Sequence, residues 1–339
     1  MTNKKVLIVG GAGYVGTEVS QLLTKLGVRF DVLDTFWYWK DSYEYVQKTK
    51  LNGNIHNIDL RNIENHSKIF EDVETILYLA CVSNDPTYDL NPDLGKTINY
   101  DGFLRTVKLA DQVGIKKFIF ASSSSVYGVK EEENVTEDLT PEPLTDYSRF
   151  KLECELYLQR TDFKNLEWTI IRPATVCGWS TRMRFDLVVN ILTYSAIINN
   201  EIVVHGGSQF RPNLHIKDMA ELYSRLIMED SLFEKSKHKV FNYGCENIKL
   251  IDIANLVKES MSQQINLKIE NVVDSRSYRI SSEYIKKELG VKPKYSVKDA
   301  IDDINYAFRE KLLRPVEEQY LYNNIKTMTK LINENKLII

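Results

Sequence analysis

Tyr147 and Lys151 stand four residues apart, so a helix would place them on one face. A lysine ammonium beside a phenol favours the phenolate and lowers its pKa. A phenolate next to an alcohol can take the hydroxyl proton while hydride leaves the same carbon. The spacing alone is not selective, because among 19 tyrosines Tyr322 and Lys326 share it. Context separates the two pairs. Tyr147 follows the run Ser122-Ser123-Ser124-Ser125-Val126-Tyr127-Gly128, which is expected at the C-terminal end of a strand. Ligands of open parallel sheets bind at that edge. A serine hydroxyl there can donate to, or accept from, an oxygen being oxidised or reduced. Tyr322 lies near the C-terminus and reads as structural.

A second group is the turn Gly10-Gly11-Ala12-Gly13-Tyr14-Val15-Gly16. Glycine suits a turn with positive φ, a close approach to pyrophosphate, and a helix packed tightly on a strand. The helix that follows would offer free N–H groups and a positive dipole end to phosphate. Asp34 comes 18 residues after Gly16, where a carboxylate can accept bonds from both adenosine ribose hydroxyls. It would repel a 2′-phosphate, and Thr35-Phe36-Trp37-Tyr38-Trp39 supplies no arginine to attract one. NAD is therefore favoured over NADP. Asp59 is a candidate for the adenine amino group.

These residues need a scaffold that gathers strand ends. Short apolar runs are expected as strands at 4–9, 29–33, 54–58, 75–80, 117–121 and 168–172. Helical patterns alternate with them at 14–26, 63–70, 95–113 and 146–160. This rhythm predicts an α/β fold, a Rossmann-type doubly wound parallel sheet. After Arg172 the pattern changes. Helices are expected at 182–199, 216–228, 250–261 and 282–289, with strands at 202–205 and 240–243. Residues 1–173 with about 212–244 are assigned to a cofactor domain. Residues 174–211 and 245–339 are assigned to a smaller mixed α/β substrate region.

Composition agrees with a soluble, core-forming chain: 339 residues, 43% hydrophobic and 27% charged, with a net charge of −3. The charge argues against a dedicated nucleic-acid binder. No apolar stretch reaches the roughly 18 residues of a membrane span, and the N-terminal apolar run is too short for a signal peptide. Cys81, Cys154, Cys177 and Cys245 are scattered, which fits reduced thiols and a cytoplasmic location. The five histidines form no HxxxH pair, so no metal site is expected.

Taken together, the set resembles the extended short-chain dehydrogenase/reductase family that acts on nucleotide sugars, of which UDP-galactose 4-epimerase is a member. The resemblance runs from Gly10 to about Gly290. It rests on the glycine turn, Asp34, Tyr78-Leu79-Ala80, Asn99-Tyr100-Asp101-Gly102, Ser123 to Gly128, Tyr147 to Lys151, Arg172 to Gly178, and Arg211-Pro212-Asn213-Leu214-His215-Ile216-Lys217-Asp218. It implies Ser123, Tyr147 and Lys151 as catalytic residues. It implies NAD contacts from Gly10, Gly13, Tyr14, Val15, Gly16, Asp34, Asp59, Leu60, Leu79, Ala80, Asn99, Lys151 and Pro173. Arg211 matches an arginine that clamps substrate phosphates, a task suited to its bidentate geometry. Arg276 would be a second phosphate ligand, and Ser83, Ser124 and Thr175 would contact substrate.

Three departures qualify this picture. Ser124 and Ser125 stand where related 4,6-dehydratases carry Asp-Glu, which argues against dehydration. Thr175 replaces a frequent asparagine. The run from Trp179 to Leu187 is similar to a bacterial subgroup that includes GDP-heptose C4 dehydrogenases. Arg182 and Arg184 in it would either touch substrate or be solvated helix-start residues. The resemblance implies redox chemistry at C4 of a nucleotide-linked sugar, in surface-polysaccharide sugar synthesis. An epimerase ranks ahead of a C4 dehydrogenase or ketoreductase. A non-catalytic dinucleotide binder is disfavoured because Ser123, Tyr147 and Lys151 are all present. A homodimer is implied, packed through helices 95–113 and 146–160, with a nucleotide sugar as the other partner and neither nucleic acid nor membrane.

Overall fold

The computed structural model describes residues 5–270 and 277–337. Seven parallel strands form the central sheet among these residues, in the order β10-β6-β5-β4-β1-β2-β3. They are β1 (Lys5–Val9), β2 (Phe30–Asp34), β3 (Gly53–Asn57), β4 (Val73–Tyr78), β5 (Lys117–Ala121), β6 (Glu167–Pro173) and β10 (Lys239–Tyr243). Every residue of β1 is buried, as expected for a parallel strand covered by helices on both faces. Chain order reverses between β1 and β4, which opens a crevice at their C-terminal ends. β7 (Thr175–Cys177), β9 (Phe210–His215) and β11 (Glu246–Lys249) form a small mixed sheet, and β8 (Glu201–His205) pairs with β12 (Asn266–Glu270).

The helices in chain order are α1 (Tyr14–Lys25), α2 (Ser42–Thr49), α3 (Asp85–Tyr88), α4 (Pro92–Lys96), α5 (Gly102–Val113), α6 (Asp146–Arg160), α7 (Val188–Asn199), α8 (Ile216–Met228), α9 (Asp230–Ser236), α10 (Leu250–Glu259), α11 (Glu283–Leu289), α12 (Val297–Arg309) and α13 (Asn324–Asn333). One apolar layer joins Val6, Ile8, Val19, Leu23 and Val32 to Met219 and Tyr223 of α8. The other joins Leu7, Val9 and Ile76 to Phe103, Val107 and Leu158 of α5 and α6. A further core packs α7, α10 and α12 around β8.

Several expected boundaries move. The helix expected at 182–199 begins only at Val188. Residues 182–187 are irregular because Arg182, Met183, Arg184 and Phe185 all turn inward and are buried. The long helix expected at 95–113 starts at Pro92 and passes through a π-turn at Thr97–Asp101. Residues 60–70 are 3₁₀ turns broken at Asn62 and His66, not one α-helix. No helix among the described residues is long and apolar enough to cross a membrane.

Candidate active site

A cavity of about 1110 Å³ follows the crevice. At one end lies the glycine turn. Gly10 has φ +83°, and a Cβ there would sit 2.5 Å from the Ala80 nitrogen. A Cβ on Gly16 would lie 2.6 Å from the Gly10 oxygen. Glycine at these two positions lets α1 pack hard against β1 and the end of β4. No side chain caps the start of α1, so its first N–H groups and positive dipole end are left for an anion. The Asp34 carboxylate accepts from Ala12 N–H at 2.9 Å and Phe36 N–H at 2.9 Å. Burial pushes its pKa up. Its remaining lone pairs stay available for ribose hydroxyls. Leu60, Leu79, Ala80 and Asp59 line the same end, with Asp59 held by Arg61. This cradle fits a dinucleotide.

Two expected cofactor contacts are placed differently. Asn99 is absent from the cavity wall. Its amide oxygen accepts from Val82 N–H at 2.7 Å and its amide nitrogen donates to the Val82 carbonyl at 3.0 Å. It therefore shapes the loop after β4 instead of facing a ligand. The Tyr14 phenol donates to the Gly178 carbonyl and accepts from Asn190 at 3.2 Å. Only the start of its helix, not its hydroxyl, serves the cleft.

Midway along the cavity sit Ser123, Tyr147 and Lys151. Ser123 follows β5. Its Oγ accepts from the Ser125 N–H at 3.1 Å and the Ser125 hydroxyl at 2.8 Å. Thr145 and Ser148 form a capping box, which starts α6 at Asp146 and puts Tyr147 in the first turn, with Lys151 one turn on. The Tyr147 phenol shares the cavity wall with Ser123. Burial pushes its pKa well up, Cys81 and Asp85 push the same way, and Arg184 and Ser123 pull down. The expected depression by Lys151 is not what governs this phenol. The Lys151 ammonium instead donates to the Ala121 carbonyl at 2.6 Å and lies over the Phe120 ring.

Arg182 and Arg184 are both buried, so neither is a solvated helix-start residue. Arg184 chelates Asp186 through bonds of 3.0 and 2.9 Å and donates to Ser83 Oγ at 3.0 Å. Asn84 donates to the same Asp186 at 2.9 Å. Its φ of 70° and ψ of 153° lie in a region costly for any residue but glycine, so Asp186 helps hold a strained loop. Asp85 accepts from Thr145 at 2.6 Å and lines the cavity near Tyr147. Ser124, Thr175, Pro173 and Arg211 line the other wall, and Ser124 is hydrogen-bonded to Tyr278 at 3.1 Å. Arg276 falls outside the described residues. Among the described residues no group of three or more His, Cys, Asp or Glu could hold a metal.

A family model described as the NAD dependent epimerase/dehydratase family matches residues 6–244. The chain belongs to this family. It is therefore an enzyme type built around NAD, and the glycine cradle is where the geometry accommodates that cofactor. Protein CapI of Staphylococcus aureus is 24% identical over 328 residues, covering 88% of this chain and 96% of that protein. The UDP-glucuronic acid 4-epimerase of Bacillus cereus, solved with UDP-glucuronic acid and NAD, has a TM-score of 0.79 at 23% identity, covering 90% and 99%. An NAD-dependent NDP-hexosamine 5,6-dehydratase has a TM-score of 0.79 at 21% identity, covering 93% and 100%.

Against this epimerase/dehydratase frame, sequence reasoning missed Asp85, Asp186, Tyr38, Tyr278 and Asn324 on the cavity wall. Asn84-Asp85-Pro86, a capping residue before proline, was the available signal for the turn that brings in Asp85. Nothing in the sequence pointed to Asn324.

Proposed function

We propose that this chain is an NAD-dependent 4-epimerase of a nucleotide-linked sugar, working through a 4-keto sugar. The observation that carries the reading is one continuous cavity. It holds the glycine cradle, then Ser123, Tyr147 and Lys151, then a lobe lined by Arg211, Gln209, Leu192 and Val204. A dinucleotide and a nucleotide sugar laid end to end need such a sequence of surfaces. The Bacillus cereus 4-epimerase, whose structure holds both ligand types, supports the same assignment.

NAD, when bound, supplies the acceptor and donor of the C4 hydride. In our reading Tyr147 takes the O4 proton and Ser123 hydrogen-bonds O4. Lys151, tied to the Ala121 carbonyl, anchors the base of α6 and faces the cofactor side. Thr175 and Ser83 contact the sugar, while Arg211 meets the diphosphate. Residues 1–173 with about 212–244 hold the cofactor, and residues 174–211 and 245–339 hold the substrate. A homodimer through α5 and α6 is part of the proposal, and light scattering tests it.

Dehydration is a second reading with a specific observation behind it. Asp85 places a carboxylate near Tyr147, where it could take a proton from the carbon next to a 4-ketone. The deciding experiment incubates the purified protein with UDP-, GDP-, CDP- and dTDP-sugars and reads products by mass and NMR. Unchanged mass with inverted C4 supports epimerisation. Loss of water supports dehydration, and loss of two hydrogens supports a C4 dehydrogenase. No conversion of any sugar overturns the proposal.

A further inference from the structure

Arg182 is 2% exposed and is among the largest fully buried side chains of the described residues. Its Nη1 donates to the Met183 carbonyl at 3.0 Å and its Nη2 to Asn324 Oδ1 at 2.5 Å. Its guanidinium lies 4.1 Å from the centre of the Tyr38 ring. Its Nε is buried without a partner. Among the described residues no carboxylate pairs with it. Arg184 already holds Asp186, and Asp34 accepts from the turn backbone. Burial pushes the Arg182 pKa down to about 10. A buried charge of this kind needs a counter-ion; Asp34 and Asp186 act on it electrostatically, but among the described residues no carboxylate forms an ion pair with it.

The setting says which anion suits this guanidinium. Arg182, Trp37, Tyr38, Asn324 and Ile325 line the cavity together with Gly10, Gly13 and Asp34. Trp37 and Tyr38 follow β2, and Val82 follows β4, while β1 runs between those strands. The C-terminal segment spans this gap. Arg314 chelates Glu44 at 2.8 and 2.9 Å and lies over Trp39. Met328 and Leu337 then pack with Val82, Leu94 and Ile98, and Trp37 and Tyr38 pack against them. Arg61 bonds the Leu337 carbonyl at 2.9 Å. A row of bonds runs beneath this strap. Arg184 donates to Ser83 Oγ, Asn324 donates to the same oxygen at 3.0 Å, and Arg182 donates to Asn324. The segment bridges the strands that flank the glycine turn, and it lies beyond the residues matched by the family model.

We propose that Arg182, latched to Asn324, is a ligand for the diphosphate of the bound dinucleotide, and that the strap over residues 314–337 retains this cofactor through turnover. The assignment rests on NAD occupying the glycine cradle. The uncapped start of α1 and the Arg182 guanidinium would then both hold the diphosphate. Asp34 marks the ribose end, where a further phosphate would be repelled. Arg211, in the other lobe, is left for the substrate.

The test uses the full chain, stripped of nucleotide, with NAD and UDP as separate probes in titration calorimetry. Arg182→Met is expected to weaken NAD by about 10- to 100-fold, the scale of a charge-assisted bond, with UDP affinity unchanged. Its nucleotide-free form should melt no lower than the stripped wild type, because a buried charge with no ion-pair partner is gone. Unchanged NAD affinity overturns the proposal, and so does a loss confined to UDP. If Arg182→Met does not fold, Asn324→Ala takes its place. Exchange of bound for labelled NAD is expected to quicken about tenfold, and an unchanged rate overturns the proposal. A wild type that binds no NAD at all would sink the cradle assignment itself, which is a distinguishable failure.

Discussion

Behind the serine run that follows β5 lies a buried ion pair whose removal has a calculable cost. The side chains of Glu155 and Arg172 are 0% and 5% exposed. Arg172 makes contacts of 3.0, 3.1 and 2.6 Å to the carboxylate. It also donates to the Tyr127 hydroxyl at 2.8 Å, which donates to Asn242 at 2.8 Å. Ser122 donates to Glu155 as well. Ser122 and Tyr127 bracket Ser123, and Glu155 lies one turn beyond Lys151 on α6, so this pair ties the serine turn to the helix carrying Tyr147. Arg172→Met would strand a carboxylate in the core, at a cost of about 3–5 kcal/mol. That is a large part of a typical total of about 5–15 kcal/mol. Glu155→Leu strands the guanidinium at a similar cost. The double variant removes both charges and should lose only about 1–3 kcal/mol, mainly from donors left without an acceptor. Urea unfolding at 25 °C, followed by circular dichroism, measures all three. Single variants costing under about 1 kcal/mol, or costs that add in the double variant, would refute the reasoning.

Other expected outcomes follow from the site. Gly16→Ala puts a Cβ 2.6 Å from backbone at Gly10 and Gly11. It should displace α1 and strip NAD from the purified protein, as read by nucleotide absorbance. Arg184 pulls the buried Tyr147 phenol down. Arg184→Met should therefore move the alkaline rise of kcat/KM to higher pH, and an unmoved profile would remove Arg184 from the proton step. Burial raises the Asp186 pKa, but the Arg184 guanidinium outweighs it and holds the carboxyl below its ordinary value. The stability this contributes is fully present above the unfolded value of about 3.9 and is lost as pH falls through the lower folded value. Asp186→Asn should flatten that acid limb in melting curves.

The parallel sheet was legible because buried parallel strands are short apolar runs, and glycine, Asp34 and the serine run mark their ends without tertiary context. Tyr147 and Lys151 were legible for the same reason, since α6 begins where Thr145 caps it. The 182–187 segment was not. Its arginines read equally as substrate ligands or as solvated helix-start residues, yet Arg184 is neutralised by Asp186 two residues on, a contact that no period predicts. The C-terminal strap escaped because its partners are remote in sequence: Glu44 for Arg314, Ser83 for Asn324, Arg61 for Leu337. The helix α12 did carry a signal. Its Ser296–Asp299 capping box precedes Ala300, Ile301 and Ile304 at helical spacing.

The most direct test of the central claim is turnover of the sugar-nucleotide panel by Tyr147→Phe, with NAD content measured in the same sample. The account predicts a loss of about 10²- to 10⁴-fold with full NAD content, because the phenol moves the O4 proton and does not hold the cofactor. Turnover equal to wild type on the converted sugar would contradict it.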